Sequence, residues 1–339
     1  MNIFYPLKKA LILRNLEKRR RLNPFNTEKA ELYIMSDDAD DNQNNSYYFS
    51  CHSADGTSLL IRHAQRGVKH IEVWFAYRNA TGRAVISGKQ LYPAGVAPTT
   101  VRCIEPGKKW AFSYDGDAQA LHTGEPVRVR LDAAFDATGR IFEFGHDVDA
   151  GVMAEAIARE KWTRAYFEEL QANDQVHYEQ PGWATGTLQL DGEKIALDLP
   201  AMRDHSFGKR DWGYMNRHFW LMVLLEDGRQ LNANMVSYPV LKLMTGYYED
   251  SGKVTGVAAA SIREDVVKPH EVPEAFTFDA KLTDERALCV KCRCEEVFPF
   301  PFAEGAYTIY EGVGAFELEG VKGRGILEFG WNGDVSRCV

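Results

Sequence analysis

The chain has 339 residues, of which 45% are hydrophobic and 26% charged, a composition typical of a globular protein with enough apolar side chains for large cores. Its formal net charge of −8 at pH 7 argues against general nucleic-acid binding, and its length favours two domains. The sequence has no P-loop, dinucleotide fingerprint or Gly-x-Ser-x-Gly elbow. The common phosphate, nicotinamide and α/β-hydrolase sites are therefore excluded, and no cofactor is expected.

Residues 1–30 predict a basic amphipathic helix at the start of the chain. Leucines recur close to helical spacing and a cluster of cations follows them: Leu7, Leu11, Leu13, Leu16, Lys18, Arg19, Arg20 and Arg21. Such a helix can dock onto its own domain, or it can make peripheral contact with an anionic membrane. No stretch is long and apolar enough for a signal peptide or a spanning helix, so a cytoplasmic protein is expected.

From residue 31 onward, short alternating runs are separated by turn dipeptides such as Asp55-Gly56. This pattern predicts antiparallel β-structure, and residues 31–150 are assigned to a first lipocalin-like β domain. Apolar residues at helical spacing predict a single helix from Val152 to Leu170, within a linking segment of residues 151–175. The domain boundary is placed in the polar stretch 171–175.

Residues 176–339 are expected to form a second lipocalin-like β-barrel. About nine strands joined mostly by short turns can be placed there, and closing an up-and-down barrel removes the exposed edges of such a sheet. The strand from Asn216 to Leu225 is apolar on both faces, so both faces should be covered. The predicted fold class is all-β, with two antiparallel barrels, an inter-domain helix and an N-terminal helix.

The sequence does not predict a metal site. Six cysteines are spread too thinly for a disulfide scaffold, so reduced thiols are expected. The pair Cys289-x-x-Cys292 lacks a second pair of ligands at similar spacing. A cluster of His146, His177 and His205 is conceivable, but no spacing supports it.

Residues 203–212 are rich in polar and charged side chains and lie between apolar runs. The polar residues are Arg203, Asp204, His205, Ser206, Lys209, Arg210 and Asp211. In an extended strand, Arg203, His205 and Phe207 point to one face. Asp204 and Ser206 then point to the other face. Two interpretations stay open, because the segment can be a salt-bridged plug that closes a barrel end or the wall of an active site.

The same segment carries a family resemblance. The motif Arg203-Asp204-His205-Ser206-Phe207-Gly208-x-Arg210-x-Trp212, followed by Phe219-Trp220-Leu221 and later by Gly323-x-Gly325-x-x-Glu328, resembles the second half of the carotenoid 1,2-hydratase superfamily. That group includes tocopherol-cyclase-like proteins and lipocalin-like Diels–Alderases, and the matches lie within residues 177–331. The resemblance implies two lipocalin-like, calycin-type barrels with a hydrophobic cavity near their junction. It also implies chemistry on large apolar molecules by alkene protonation, hydration or cyclisation.

The resemblance has one departure. The hydratases read Asp-His-x-Trp-Gly in the corresponding segment, and their His and Trp are implicated in activity. His205 matches that histidine, but Phe207 stands where the tryptophan would be. Because a phenyl ring is a poorer cation–π partner than an indole, carotenoid hydration itself is placed in doubt.

Two functions fit these observations. The first is a cofactor-independent enzyme, a lyase or isomerase of the hydratase/cyclase kind, that acts on an isoprenoid- or polyketide-like substrate by acid-catalysed hydration, cyclisation or isomerisation. Asp204 or Asp211 would supply the proton and His205 would deliver or accept it, while Arg203 could polarise a carbonyl. Substrate-binding side chains would be Phe207, Trp212, Tyr214, Trp220 and Tyr238. The alternative is a carrier that shields a lipid or pigment without chemistry. A scaffold that binds a partner through the N-terminal helix is a third hypothesis.

Overall fold

Strand pairing produces two closed antiparallel barrels, called barrel 1 and barrel 2 below. The computed structural model describes residues 4–172, 175–262 and 267–338. In these residues each barrel closes with eight strands, and the helices are few. The predicted all-β, two-barrel class is therefore confirmed.

Barrel 1 is built from strands of the first two thirds of the chain. Their bounds are β1 (Gln43–His52), β2 (Ser58–Arg66), β3 (His70–Arg78), β4 (Ala84–Ser87), β5 (Leu91–Pro93), β6 (Thr99–Glu105), β7 (Lys109–Ala120), β8 (Pro126–Ala137), β9 (Phe142–Glu143), β10 (Gln175–Leu190) and β11 (Glu193–Lys209). The closed order is β11-β1-β2-β3-β4-β7-β8-β10, with β10 pairing β11. The short strands β5, β6 and β9 add to β3, β7 and β10.

Barrel 2 follows chain order throughout. Its strands are β12 (Arg217–Leu225), β13 (Gln230–Ser237), β14 (Lys242–Asp250), β15 (Lys253–Ile262), β16 (Ala275–Leu282), β17 (Ala287–Phe302), β18 (Tyr307–Leu318) and β19 (Val321–Asn332). Pairing of β12 with β19 closes the cylinder. Leu221 and Met222 are neighbours on opposite faces of β12 and both are buried, as expected for a strand covered on both sides.

The helices are α1 (Tyr5–Leu22), α2 (Thr27–Glu31), α3 (Phe144–Asp147), α4 (Ala150–Arg159) and α5 (Arg164–Ala172). The predicted N-terminal helix is α1. The single helix predicted from Val152 to Leu170 is wrong, because it is divided into α4 and α5. Glu160 ends α4 in an extended conformation, and the Thr163 hydroxyl accepts a hydrogen bond from the Tyr166 amide (3.0 Å), which caps the start of α5. No helix in the described part of the chain is both long and apolar enough to cross a membrane.

The domain boundaries need a correction. Contacts divide the chain into one compact unit of Asn26–Phe144 and Gln175–Arg210, which contains barrel 1, and another of Met1–Phe25, Gly145–Asp174 and Asp211–Val339, which contains barrel 2. Residues 176–210 therefore belong to the first barrel, not to the second, as the boundary placed in the polar stretch 171–175 predicted. The reason is that β11 pairs with β1, from Gln43 opposite Lys209 to Cys51 opposite Ala201, and local patterns do not show such a distant pairing. Within the boundary stretch 171–175, residues 173 and 174 lie outside the described residues.

The barrel cores follow from the two-residue alternation of strands. In barrel 1, the inward ring of Phe49 stacks on Phe112 with 4.4 Å between centroids. In barrel 2, Phe219 packs against Phe329 with centroids 4.9 Å apart. Each such ring removes a large apolar area from water, which stabilises a closed cylinder.

Candidate active site

Strand β11 presents different chemistry on its two faces. Leu197, Leu199 and Ala201 lie in the core of barrel 1. Because side chains alternate along a strand, Arg203 and His205 continue this inward face and Asp204 points outward. The face assignment predicted for the segment therefore agrees with the strand geometry.

Arg203 forms a fully buried ion pair inside barrel 1. Its Nη1 donates to the Glu31 carboxylate (2.8 Å) and its Nη2 donates to the Gln180 side-chain oxygen (2.7 Å). The side chains of Arg203 and Glu31 are both 0% exposed. The guanidinium lies 5.0 Å from the centre of the Trp110 ring, close enough for a cation–π contact.

Glu31 is held in place from several directions. Its carboxylate accepts hydrogen bonds from the Trp110 indole (2.7 Å) and from the Gly107 amide (3.1 Å). It is the last residue of α2, whose first turn is capped by the Asn26 side chain. This arrangement fits the plug interpretation for Arg203, since α2 is tied through Glu31 to the interior of the barrel.

His205 is neutral and has both ring nitrogens engaged. The Asn45 side-chain oxygen lies 2.8 Å from Nε2 and can only accept, so Nε2 carries the hydrogen. Nδ1 is hydrogen-bonded to the Tyr178 hydroxyl (2.5 Å). Burial, followed by the charge of Arg203, holds the pKa of His205 well below its usual value. Burial also raises the pKa of Tyr178, so its hydroxyl keeps its proton.

A half-buried histidine on β2, His63, makes the unfolding of the protein sensitive to acid. Burial and the neighbouring Arg62 charge lower the pKa of His63 to about 4, against 6.5 in the unfolded chain. Between these values the unfolded state binds a proton that the folded state does not, so stability is lost as pH falls through about 6.5 toward 4. In urea titrations between pH 4.5 and 7, we expect H63Q to reduce the slope of the unfolding free energy against pH. The reduction should correspond to at most one bound proton. H122Q, at an exposed histidine, is the matched control, and equal slopes for the two variants would contradict the assignment.

The outward face of the same hairpin carries two carboxylates and an imidazole. His177 and Glu179 are two residues apart on β10, and Glu179 stands directly opposite Asp204 in the strand register. A hydrogen bond joins His177 Nε2 to the Asp204 carboxylate, and the same nitrogen lies 3.9 Å from Glu179 Oε1. The Glu179 side chain is 0% exposed and that of Asp204 9%. We call these three residues the outer cluster.

Packing fixes the imidazole of the outer cluster. The ring of Phe144 stacks on His177, with centroids 4.4 Å apart and planes 11° from parallel. The ligand atoms of the three side chains all lie within 4.8 Å of one another, so they could also hold a metal ion together. Sequence reasoning considered His177 but did not connect it with Glu179 and Asp204. The signal that could have found the cluster is the pair of polar residues at i and i+2, His177 and Glu179, on a strand next to the 203–212 segment.

The remaining predicted site residues are not part of the outer cluster. Phe207 stacks on Tyr33 in the barrel 1 unit, with centroids 4.0 Å apart. Asp211 caps a short 3-10 turn by accepting from the Gly213 amide (2.9 Å). Four aromatic residues belong to the barrel 2 unit: Trp212, Tyr214, Trp220 and Tyr238.

The aromatic residues near the start of barrel 2 have partners of their own. Trp212 stacks on Phe302, with centroids 4.3 Å apart. Tyr214 stacks on Tyr238 at 5.6 Å and donates its hydroxyl to Glu169. Trp220 is half-buried on β12.

Barrel 2 has a polar cluster that the sequence analysis did not assemble. His218 Nδ1 lies 2.6 Å from the Tyr307 hydroxyl, and its Nε2 bonds to the Glu328 carboxylate. The three residues come from β12, β18 and β19, and β12 lies beside β19 only because the barrel closes. Glu328 belongs to the resemblance motif, but the motif gave no indication of its partner.

Surface clefts in the described part of the chain include one beside the start of β1 and one on barrel 2. One, of about 350 Å³, is lined by Tyr33, Met35, Ser36, Asp38, Ala39, Asp40 and Gln43. The other, of about 440 Å³, lies over β15 and β16. Neither is lined by a residue of the outer cluster, so the candidate site rests on its buried side chains rather than on these clefts.

Other solved proteins share this fold of two antiparallel β-barrels. An AttH candidate from Nitrosomonas europaea has 15% identical residues, a TM-score of 0.59, and coverage of 92% of this chain and 97% of that one. Kievitone hydratase from Nectria haematococca has 11% identity, a TM-score of 0.53, and coverage of 92% and 98%. The TM-scores show a common fold, and the two-barrel architecture implied by the sequence resemblance is confirmed.

Within that class, the chain belongs to the family described as Domain of unknown function (DUF7064), which matches residues 36–333. No curated protein sequence matches the chain significantly.

Proposed function

We propose that the protein is a cofactor-independent enzyme that transfers protons to and from a hydrophobic substrate of the isoprenoid or polyketide kind. The observation that carries the proposal is the outer cluster, in which the His177 imidazole is hydrogen-bonded to the Asp204 carboxylate beside the buried Glu179. Three titratable groups at this distance can exchange a proton, so that one acts as general acid and another as general base.

The chemistry follows from one protonation step. A protonated carboxyl of the cluster donates its proton to an alkene carbon, and the alkene π electrons form the new C–H bond. The resulting carbocation is captured by water in hydration, by a second alkene in cyclisation, or loses a neighbouring proton in isomerisation. In each case the final proton returns to the cluster, which restores the starting state.

The proposal moves the acid–base role away from His205. That imidazole is neutral, and its two nitrogens are occupied by Tyr178 and Asn45. Arg203 is likewise committed to Glu31. We therefore assign Arg203 and His205 to holding β11 from inside the barrel, and Asp204 and His177 to chemistry on its outer face.

Two further observations support the proposal without deciding it. A solved structure with the same fold is named kievitone hydratase, and hydration is one of the three outcomes above. All six cysteines are free thiols, which fits the cytoplasmic location that we include in the proposal.

The test is to survey which compounds the purified protein converts. A mixture of alkene-containing isoprenoids and polyketides is incubated with the protein, and products are separated by liquid chromatography with mass detection. We expect either the gain of one water or an unchanged mass at a new retention time, and neither with heat-denatured protein. If no compound is converted and native mass spectrometry finds one retained, unmodified lipid, the carrier alternative is favoured instead. A metal bound in equal amount to the protein and lost in D204N would contradict the cofactor-independent mechanism.

A further inference from the structure

Helix α1 uses one side to dock within its own unit. Lys8 Nζ donates to the carbonyl oxygen of Ala158 (3.3 Å), and Lys9 pairs with Glu155 (3.1 Å). Near the other end of the helix, the Arg20 guanidinium donates to the carbonyl oxygen of Gly145 (2.9 Å). These contacts, mainly with α4, fix which side of α1 faces outward.

The outward side of α1 exposes large apolar side chains. Phe4 directly precedes α1, and Leu7, Leu11 and Leu22 lie within it; they are 64%, 69%, 48% and 62% exposed. The spacing of three or four residues from Phe4 through Leu7 to Leu11 places these side chains along one stripe of the helix. An exposed apolar stripe of this kind marks a surface that binds a membrane or a partner.

The same stripe carries positive charge. Arg14, Lys18 and Arg21 continue the three- and four-residue spacing from Leu11, and all three are exposed. Within residues 4–172, 175–262 and 267–338, no ion pair engages any of them. Glu17 is the one acidic residue of the helix. This face is therefore cationic although the whole chain has a net charge of −8.

We propose that this face of α1, defined by Phe4, Leu7, Leu11, Arg14, Lys18, Arg21 and Leu22, binds the surface of an anionic lipid bilayer. A helix about 27 Å long can lie in the plane of the interface with its apolar side chains among the upper acyl chains. The cations then reach lipid phosphates and carboxylates. Apolar and cationic side chains share this exposed face of the helix, which matches a bilayer surface, where both environments lie at adjacent depths.

The charge distribution favours a bilayer over the other possible occupants. A second copy of this acidic chain would have to bring a matching anionic, apolar surface to α1. An anionic bilayer offers both properties at once, and it attracts each cation near its surface. The proposal is independent of the proposed catalytic function, because the two use different residues in different units.

Vesicle co-sedimentation of the full chain tests the proposal. The probes are phosphatidylcholine vesicles and phosphatidylcholine vesicles with about one third phosphatidylserine. We expect binding to the anionic vesicles only. The triple variant R14A/K18A/R21A should bind them about a hundredfold more weakly, at roughly fivefold per cation. L7N/L11N should also lose binding, because the apolar contribution is removed.

The matched control removes three exposed lysines elsewhere, in K108A/K281A/K291A, and has the same change in net charge. It should bind like the unaltered chain. The proposal would be overturned if the unaltered chain did not bind anionic vesicles. It would also be overturned if the control lost as much vesicle binding as the α1 triple variant. A lipid-free dimer that L7N/L11N dissociates, measured by light scattering, would overturn it in favour of a second copy as occupant. Unchanged thermal unfolding of the variants would confirm that they are folded.

Discussion

Replacing Arg203 by methionine is expected to lower the free energy of unfolding by about 3–5 kcal/mol. The substitution keeps most of the side-chain volume but removes the charge, and it leaves the Glu31 carboxylate buried without its cation. The Gln180 side-chain oxygen also loses its donor. Urea unfolding followed by tryptophan fluorescence measures the effect, since Trp110 lies beside the pair.

Two comparison variants separate the buried pair from the loss of any arginine. R164M removes an arginine that is 92% exposed and paired with Glu168 on the surface, and it should cost less than about 1 kcal/mol. The double variant R203M/E31Q removes both charges and should be more stable than R203M alone, because no uncompensated carboxylate remains. An R203M cost as small as that of R164M would show that the pair does not hold α2 to barrel 1.

Asp204→Asn is expected to lower turnover by about 10²- to 10⁴-fold, the usual contribution of a general acid or base. The amide keeps the shape of the side chain but cannot donate and recover a proton. Its oxygen can still accept from the His177 imidazole, so the strand should remain in place. The measurement is the rate of conversion of a substrate found in the product survey, at saturating concentration.

Asp198→Asn is the matched control for this effect. Asp198 lies on the same strand and the same outward face as Asp204, but it is exposed and accepts a hydrogen bond from the Trp183 indole. The same chemical change there should leave turnover unaltered. Full activity in D204N, or equal losses in the two variants, would remove Asp204 from the chemistry.

The sequence was informative where structure is set by near neighbours. The alternation of Arg203, Asp204 and His205 could be predicted because strand periodicity is local. The helix of residues 5–22 and the many turns were visible for the same reason. The break between α4 and α5 was missed because the cap at Thr163 lay inside a run of helically spaced apolar residues.

Distant partners could not be predicted. Glu31 meets Arg203 across 172 positions of sequence, and no local pattern indicates that a carboxylate on a short helix would pair inside the barrel. The domain boundary failed for a similar reason, because β10 and β11 look like the start of a new barrel until β11 is seen to pair with β1. The outer cluster required the register that sets Glu179 opposite Asp204.

The proposed function requires that the outer cluster deliver a proton to a carbon atom of the substrate. Conversion of a substrate in D₂O, with the product analysed by mass spectrometry and NMR, tests this directly. We predict a product with one deuterium in a C–D bond that does not exchange back in H₂O, and we expect D204N to form it about 10²- to 10⁴-fold more slowly. A product formed at full rate without deuterium on carbon would contradict the proposed proton transfer.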